Sequence, residues 1–354
     1  MKAIVLCAGL GKRLYPLTLS MSKHLIPLAN KPILFYNLEM IERAGIKEVG
    51  IIVGKTNHDI TNIVGDGSNW GLKVTYILQK DPRGLAHAVK CGEDFLENQP
   101  FVMYLGDNLL KEGLNGFVSN FNQTRPNALV LLYPVDNPSH FGIAEVEDGR
   151  ISKVVEKPEN PSSNLAIVGA YIFDNNIFTA INNIKPSSRN EFEITDAIQY
   201  LIDNGYKVQS HTVKEWWKDT GRPEEVIEAN CFMLDFIETE IKGKVDVNSK
   251  INGKVRIGEG SEIIKSDIRG PVVIGKNCKI IDASLRPYTS VGNHSSIERC
   301  EIGRSVLMEK CAISGIDGAI ENSLLGKNVV LRKIEGKPKT FHFIHGDHSV
   351  TELP

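Results

Sequence analysis

The sequence predicts an α/β domain with a mixed sheet over residues 1–240 and a left-handed parallel β-helix over residues 241–354. In the first part, short apolar runs alternate with amphipathic stretches, which is typical of an open α/β sheet. In the second part, an aliphatic residue followed by glycine recurs, and the first three pairs are 17 residues apart. That interval is close to three faces of about six residues each, as in a stacked β-helix.

Composition narrows the class of protein. The chain has 354 residues, and its 41 basic and 43 acidic side chains give a net charge of −2, which argues against nucleic acid or a membrane as the main partner.

The six cysteines lack CxxC spacing, so we expect reduced thiols in a cytoplasmic protein. No apolar run approaches the ~20 residues of a membrane span, and we expect no secretory leader. The flat faces of a β-helix suit a homo-oligomer.

The first domain is predicted element by element from its hydrophobic pattern. Apolar runs predict parallel strands, and three further runs without long helices between them predict an antiparallel extension of the sheet. The predicted strands span residues 2–8, 49–53, 72–78, 101–105 and 128–132, followed by 143–146, 151–155 and 165–173. Helices are predicted from residue 32 through 41, and over 85–96, 191–204 and 223–241. Ligands are expected at the carboxyl ends of the strands.

The second domain is predicted from its repeats. An irregular β domain with chance pairs is the alternative, and the repeated spacing disfavours it. The aliphatic-glycine pairs are Ile257-Gly258, Ile274-Gly275, Val291-Gly292, Ile302-Gly303 and Leu325-Gly326.

The first strand leads into a glycine turn that carries cations. Gly9 and Gly11 allow the backbone to turn sharply and to approach a ligand closely. Five basic residues precede the first acidic residue, Glu39, and they are Lys2, Lys12, Arg13, Lys23 and Lys31. A strand, a glycine turn and unopposed cations suit a polyphosphate. The alternative is a tight turn whose cations are merely solvated. The spacing fits neither a dinucleotide fingerprint nor a Walker A loop.

Two aspartates are candidate metal ligands. Asp107 follows the apolar run Phe101–Leu105, so it is expected at the ligand edge of the sheet. Asp219 follows two tryptophans much later in the chain. Carboxylates suit Mg²⁺ bridged to phosphate, although each aspartate could instead cap a helix or form an Asx turn.

Three other segments offer polar side chains at strand ends. Gln79 ends a strand before a proline turn, and its amide can offer a donor and an acceptor to the edge of a base. Glu156 and Lys157 stand at the tip of another strand, where Lys157 suits a monoester phosphate and Glu156 a sugar hydroxyl. Arg189 precedes a helix and is a further cation. Solvated surface charge is the alternative for these charged groups.

Taken together, these segments resemble a known family. The chain resembles the sugar-1-phosphate nucleotidyltransferases, and within them the long type of glucose-1-phosphate thymidylyltransferases. The matching motifs are Ala8-Gly9-Leu10-Gly11-Lys12-Arg13-Leu14, Ser22-Lys23-His24-Leu25, Gly65 to Gly71, Gln79 to Ala86, Leu105-Gly106-Asp107-Asn108, Glu156-Lys157-Pro158, Glu193-Ile194-Thr195-Asp196 and Asp219-Thr220-Gly221. The resemblance implies a Rossmann-like catalytic domain, dTTP and glucose 1-phosphate as substrates, and Mg²⁺ as cofactor.

The resemblance also implies a role for each matching residue. The catalytic set would be Arg13, Lys23, Asp107, Lys157 and Asp219. The nucleotide would contact Gly9, Gly11, Lys12, Arg13, Lys23, Gln79, Gly84 and Asp107. The sugar phosphate would contact Asn108, Gly142, Glu156, Lys157, Ile167, Tyr171 and Arg189. Asp107 and Asp219 would hold the metal. Two positions depart from the family pattern, Lys12 where threonine is usual and Phe141 where tyrosine is common.

Other functions remain open at this stage. UTP could replace dTTP, because thymine and uracil differ by one methyl group and a binding pocket discriminates such a difference by only about 1–3 kcal/mol. The β-helix could add an acetyltransferase with His294 as base, although a solvated turn residue is the favoured interpretation. A non-catalytic regulatory subunit is disfavoured because the Arg13, Lys23 and Asp107 residues are present. A histidine cluster, His342, His345 and His348 with Asp347, is interpreted as structural rather than metal-binding.

Overall fold

The computed structural model describes residues 1–147, 150–333 and 348–352. The chain divides into two compact units. The α/β unit comprises Met1–Leu10 and Leu34–Asp219, and the β-helix unit comprises Gly11–Ile33 and Thr220–Pro354. The second unit therefore contains the segment Gly11–Ile33 and the helix before residue 240, both of which the sequence analysis assigned to the first domain.

Before residue 240, the described residues contain thirteen strands and eight α-helices, together with five short 3₁₀ helices. The strands are β1 (Lys2–Leu6), β2 (Pro27–Leu28), β3 (Lys31–Pro32), β4 (Glu48–Val53), β5 (Lys73–Leu78), β6 (Phe101–Leu105), β7 (Asn108–Leu110), β8 (Ala128–Pro134), β9 (Gly142–Glu147), β10 (Arg150–Glu156), β11 (Leu165–Phe173), β12 (Val208–Thr212) and β13 (Trp217–Asp219). The helices are α1 (Ile33–Arg43), α2 (His58–Val64), α3 (Leu85–Cys91), α4 (Glu93–Leu96), α5 (Asn115–Thr124), α6 (Asn176–Asn183), α7 (Ile194–Asp203) and α8 (Pro223–Leu234).

The α/β unit is built on one mixed sheet with the strand order β5-β4-β1-β6-β11-β8-β12-β10-β9. Strands β5, β4, β1 and β6 are parallel to one another, and β11 is antiparallel to β6, β8 and β9. The predicted antiparallel extension is confirmed by β9, β10 and β11. Buried aliphatic and aromatic side chains from these strands and from α3, α6 and α7 form the core cluster, so the polar groups at the strand ends rest on a rigid base.

All four predicted helices differ from the structure, by one to three residues at each end of α1 and α7, and the other two differ more strongly. The predicted helix over 85–96 is divided into α3 and α4 at Gly92, which lies beside the buried side chain of Ile4. The predicted helix over 223–241 ends at Leu234 instead. Its apolar pattern continues because Ile237 is buried in a cluster with Ala29 and Val273, and not because the helix continues.

The β-helix unit contains three parallel sheets, which fit the predicted left-handed β-helix. One sheet stacks β14 (Glu240–Ile241), β17 (Val255–Ile257), β20 (Val272–Ile274), β23 (Thr289–Val291), β26 (Val306–Leu307) and β29 (Leu324–Leu325). The second stacks β15 (Lys244–Val245), β18 (Glu262–Ile264), β21 (Lys279–Ile281), β24 (Ser296–Glu298), β27 (Ala312–Ser314) and β30 (Val330–Arg332). The third stacks β16 (Lys250–Asn252), β19 (Asp267–Arg269), β22 (Ser284–Leu285), β25 (Glu301–Gly303) and β28 (Ala319–Glu321).

The glycines of the repeat are explained by the stacking of coils. A Cβ on Gly258 would lie 2.6 Å from the backbone of Gly275, and one on Gly292 would lie 2.5 Å from the backbone of Met308. No real Cβ fits so close to another chain segment, so glycine is required at this corner. Ile302-Gly303 belongs to a different sheet from the other four aliphatic-glycine pairs and is not part of this corner.

Within the described parts of the chain, no helix combines the length and the hydropathy needed to cross a membrane.

Candidate active site

The two candidate metal ligands lie together, although they are far apart in sequence. Asp107 follows β6, and Asp219 ends β13. Strand β13 pairs antiparallel with β7, and this register places Asp219 opposite Asn108. The pairing of two three-residue strands therefore brings the second carboxylate to the carboxyl end of β6.

Asn108 connects both carboxylates through a single side-chain amide. Its Nδ2 donates to Asp107 Oδ1 at 3.2 Å and to Asp219 Oδ1 at 3.4 Å. Its Oδ1 accepts from Trp217 Nε1 at 2.7 Å, so the orientation of the amide is fixed. Tyr104 donates to the Asn108 carbonyl at 3.2 Å. Because Asn108 is buried, these bonds hold the two carboxylates in a defined arrangement.

A glycine in β11 makes this close arrangement possible. Gly169 has φ +49, and a Cβ there would lie 3.1 Å from Trp217 Nε1 and 3.2 Å from Asn108 Oδ1. The pairing of β11 with β8 shifts register between Ile167 and Tyr171, on either side of this glycine. The role of Gly169 is not evident from the sequence, because a glycine within a strand indicates only a bulge or a close approach.

The carboxylate pair fits a hard divalent cation. Asp107 and Asp219 each present an oxygen to the same amide, and carboxylate oxygens are the ligands that Mg²⁺ prefers. In the described residues, no group of three or more His, Cys, Asp or Glu could hold a metal by itself. A cation here would therefore have few protein ligands, which is the usual arrangement when substrate phosphates complete the shell.

Gln79 lies directly after β5, next to the turn that begins α3. Its Nε2 donates to the Gly84 carbonyl at 3.3 Å and lies 2.9 Å from Nδ1 of His87. Gly84 has φ +100, and a Cβ there would lie 2.5 Å from the Phe192 carbonyl. The neighbouring backbone groups pair with the same residue, since Ala86 donates to the Phe192 carbonyl at 3.0 Å. Only glycine fits at position 84.

A second charged cluster surrounds Glu156 at the end of β10. Arg189 Nη2 lies 3.0 Å from Glu156 Oε1 and 2.9 Å from Glu193 Oε1, and Lys157 Nζ lies 3.6 Å from Glu156 Oε1. The other oxygen of Glu156 accepts from Thr195 Oγ1 at 3.0 Å. The structure thus brings together Glu156, Lys157 and Arg189, which are predicted sugar-phosphate residues.

Acidic groups dominate that cluster. Burial, followed by the charges of Glu193 and Glu156, raises the pKa of Asp196, with Arg189 opposing the shift. Arg189 also lies 3.8 Å from Glu191. An incoming phosphate would therefore have to replace at least one of these carboxylates as a partner of Arg189.

The remaining predicted sugar contacts are apolar or closely packed. Gly142 stands opposite Glu156 in the β9–β10 pair, and a Cβ there would lie 2.6 Å from Thr195 Cγ2. Ile167 and Tyr171 are buried in β11. Burial, and then the charge of Glu156, raises the pKa of the Tyr171 hydroxyl, so this group stays protonated.

The segment Gly11–Ile33 carries the predicted triphosphate cations. Gly11 has φ +65, and its carbonyl accepts from Thr18 Oγ1 at 2.8 Å and from the Leu14 backbone at 2.9 Å. Lys12 and Arg13 are exposed on a short 3₁₀ helix, and neither forms an ion pair within the described residues. Lys23 is half-buried.

Lys2 does not belong with those cations. Its Nζ donates to the Phe95 carbonyl at 2.8 Å and to Glu97 Oε2 at 2.9 Å. Lys2 begins β1, whereas Gly9 follows the carboxyl end of that strand. The expectation of five unopposed cations is therefore wrong for Lys2, because a carboxylate distant in sequence neutralises it.

The segment Gly11–Ile33 is joined to the β-helix by hydrogen bonds that no pattern in the sequence predicts. Asn30 Nδ2 donates to the Val291 carbonyl at 2.7 Å. Buried Asn230, in α8, accepts at Oδ1 from the Ala29 backbone at 2.8 Å and from Ser290 Oγ at 2.8 Å. These bonds explain why the segment belongs to the same compact unit as the coils.

Comparison with known proteins places the chain in a family. The family model described as "Nucleotidyl transferase" matches residues 2–235. The chain belongs to the nucleotidyl transferase family. It is 44% identical to a glucose-1-phosphate thymidylyltransferase of Streptomyces antibioticus, over 100% of this chain and 99% of the relative. It is 45% identical to the low-salt glycan biosynthesis nucleotidyltransferase Agl11 of Haloferax volcanii, over 100% of both chains.

A solved structure supports the same family. A crystal structure from Bacillus anthracis, assigned to the glucose-1-phosphate thymidylyltransferases and in complex with a sucrose, superposes with a TM-score of 0.64. It is 34% identical, and the match covers 68% of this chain and 98% of that one. Nucleotidyl transferase architecture is thus present in this chain, and the full-length relatives extend the similarity through the β-helix.

Two histidine hypotheses have different outcomes in this nucleotidyl transferase. His294 is exposed, has φ +60, and donates its backbone N–H to the Lys276 carbonyl at 2.8 Å. The expectation that His294 is a solvated turn residue is therefore confirmed. Asn277 and Asn328 occupy turns of other coils with similar φ values of 54 and 61. Of the C-terminal cluster, His342, His345 and Asp347 lie outside the described residues, whereas the ring centre of His348 lies 5.4 Å from that of Tyr15.

Proposed function

We propose that this protein transfers a thymidylyl group from dTTP to glucose 1-phosphate, giving dTDP-glucose and pyrophosphate. The observation that carries the proposal is the convergence of Asp107 and Asp219 on one buried amide at the carboxyl end of β6. A paired carboxylate site there suits a metal-bound triphosphate. The full-length relative from Streptomyces antibioticus supports the choice of nucleotide and sugar.

The proposed reaction needs alignment and charge neutralisation more than acid–base chemistry. An oxygen of glucose 1-phosphate attacks the α-phosphorus of dTTP in line, the bond from that phosphorus to the bridging oxygen breaks, and pyrophosphate leaves. A phosphate monoester has a second pKa near ~6, so its dianion is already a nucleophile at neutral pH without a general base. We propose no covalent enzyme intermediate. Arg13, Lys23 and Lys157 reduce the repulsion between the two anions.

Each predicted residue keeps its proposed role. Gly9, Gly11 and Lys12, with Arg13 and Lys23, bind the triphosphate. Gln79 and Gly84 bind the thymine. The sugar phosphate is bound by Asn108, Gly142, Glu156, Lys157, Ile167, Tyr171 and Arg189. The structure adds one constraint, because the Asn108 amide already bonds both aspartates and Trp217, so a sugar hydroxyl would have to share or replace one of these bonds.

Asp107 and Asp219 would hold Mg²⁺ in this proposal. When bound there, Mg²⁺ would neutralise negative charge on the phosphate oxygens. Asn108 contributes by keeping the two carboxylates at one place, and the buried position of Asp107 limits competition from water.

UTP is expected to be a poorer but measurable substrate. Thymine and uracil differ by one methyl group, and a pocket discriminates such a difference by roughly 1–3 kcal/mol. A strict requirement for dTTP would need more than a methyl contact.

The deciding experiment measures pyrophosphate release. Purified protein is incubated with Mg²⁺, a panel of nucleoside triphosphates and a panel of sugar 1-phosphates. We expect the highest kcat/KM with dTTP and glucose 1-phosphate. Nucleotide binding without pyrophosphate release from any pair would support a regulatory subunit instead. Consumption of acetyl-CoA with glucosamine 1-phosphate would show the acetyltransferase alternative.

A further inference from the structure

The amide of Gln79 has both of its N–H groups directed at protein acceptors. Nε2 lies 3.3 Å from the Gly84 carbonyl and 2.9 Å from Nδ1 of His87. A carbonyl oxygen can only accept, so the atom facing it must be the nitrogen. The orientation of the amide therefore follows from its surroundings, and Oε1 is the atom left to meet a ligand.

His87 must be neutral and must accept at Nδ1 for this arrangement. The amide nitrogen has no acceptor capacity, so a proton on Nδ1 would face another donor. Burial, and then the charge of Arg83, lowers the pKa of His87, and Asp81 acts in the opposite direction. At neutral pH the imidazole is therefore uncharged, with its proton on Nε2.

The Gly84 carbonyl alone is a weak anchor for the amide. At 3.3 Å its bond with Gln79 is long, and the same carbonyl accepts from the Ala88 backbone at 3.1 Å. The shorter contact is the one to His87. His87 lies in the first turns of α3, whose start is fixed by the pairing of Ala86 with Phe192.

We propose that His87 is a positioning residue that fixes the Gln79 amide with Oε1 toward the base, and so selects pyrimidines that carry a hydrogen on N3. Thymine and uracil donate from N3–H to a carbonyl oxygen. Cytosine presents a lone pair at N3, which repels Oε1. This inference rests on the proposed function, in which Gln79 contacts the base.

Removal of His87 would allow the amide to rotate. With Nε2 then free to face the base, Gln79 could donate to N3 of cytosine. Since one neutral hydrogen bond is the main restraint, we expect the ratio of kcat/KM for dTTP to that for dCTP to fall about fivefold to tenfold.

The test compares wild type, His87→Ala and His87→Asn by pyrophosphate release with glucose 1-phosphate and either dTTP or dCTP. Asparagine can place an acceptor oxygen where Nδ1 stands, so His87→Asn should restore most of the ratio. Lys90→Ala is the matched control, since Lys90 lies on the same helix and pairs with Glu93. It should leave the ratio unchanged.

The outcomes separate this inference from the proposed function. No pyrophosphate from wild type with dTTP or UTP would overturn the proposed function itself. Normal wild-type activity with an unchanged ratio in His87→Ala would overturn only the role of His87. Equal dTTP/dCTP ratios in His87→Ala and His87→Asn would also overturn the role of His87. In that case the acceptor oxygen of asparagine would do no more than the methyl group of alanine, and the contribution of His87 would be merely structural. A fall in His87→Ala that His87→Asn reverses supports it.

Discussion

Individual side chains in the α/β unit are held by partners distant in sequence. Asn108 bonds Asp107, Asp219 and Trp217 with one amide, and Glu156 bonds Arg189 and Thr195. Buried, satisfied polar networks of this kind specify a single arrangement, because any member left without a partner is costly. The arrangement of Asp107 and Asp219 around buried Asn108 is therefore preorganised, whereas the partly exposed cluster at Glu156 and Arg189 must exchange a partner when a phosphate binds.

Asp107→Asn is the sharpest residue-scale test of the metal assignment. The substitution keeps the shape of the side chain and removes the charge, so we expect kcat to fall by about 10²–10³-fold with little change in the thermal midpoint. The control is Asp203→Asn, at the exposed end of α7, which should retain wild-type turnover. Near-normal turnover of Asp107→Asn would exclude a metal role for this carboxylate.

At the scale of elements, the segment Gly11–Ile33 depends on α8 and on the coils. Asn230 is fully buried and accepts two hydrogen bonds, from Ala29 and from Ser290. It also donates to the Tyr288 carbonyl at 3.4 Å. A single amide thus connects the cation-bearing segment, a helix and a coil of the β-helix.

Asn230→Ala should destabilise the protein and reduce its activity. The Ala29 N–H would lose its partner in a buried place, so we expect the free energy of unfolding in urea to fall by about 1–3 kcal/mol. We also expect kcat to fall, because Arg13 and Lys23 are carried by the same segment. Glu224→Ala, exposed on the first turn of α8, should change stability by less than about 0.5 kcal/mol. Equal stabilities of the two variants would contradict the role of Asn230.

Two glycine substitutions should have opposite effects on stability. A Cβ on Gly275 would lie 2.7 Å from the Asn293 backbone nitrogen, so Gly275→Ala should destabilise the β-helix by about 1–3 kcal/mol. Gly116 lies in helix α5 with nothing within 4 Å of its Cβ position, so Gly116→Ala should stabilise by about 0.4–1 kcal/mol. Urea denaturation measures both, and a tolerated Gly275→Ala would disprove the close stacking of coils.

Over the whole molecule, all six cysteines are free thiols, as predicted. Cys278, Cys300 and Cys311 are buried in the core of the β-helix. Burial raises the pKa of Cys300 and of Cys311 to about 11. These side chains therefore act as small apolar groups and not as reactive nucleophiles.

Thiol labelling checks this packing. Because the raised pKa leaves little thiolate at pH 8, we expect iodoacetamide to modify Cys300 and Cys311 slowly in the native protein and readily after unfolding in urea. The native rate should increase as the pH approaches 11. Peptide mass spectrometry measures each site, and rapid native labelling of Cys300 would contradict its burial.

Much of the element order could be predicted because its signals are local. Strands β6 and β11 have the predicted bounds, and β4, β5 and β8–β10 differ from the predictions by one or two residues at their ends. Helices α2, α5 and α6 and strands β2, β3, β7, β12 and β13 were not predicted. Strands β7 and β13 have three residues each, so they show no period, and they are stabilised by their pairing and burial in the folded chain.

The sequence by itself determined the α/β architecture, the β-helix and the motifs of the candidate site. The period of the hydrophobic residues and the spacing of the glycines are local features of the chain, so they can be recognised without the fold. Only the tertiary structure decided which distant residues meet. It joined Asp219 to Asn108, paired Lys2 with Glu97, and placed the segment Gly11–Ile33 in the same compact unit as the β-helix. These contacts depend on how sheets and coils pack, and no local pattern encodes them.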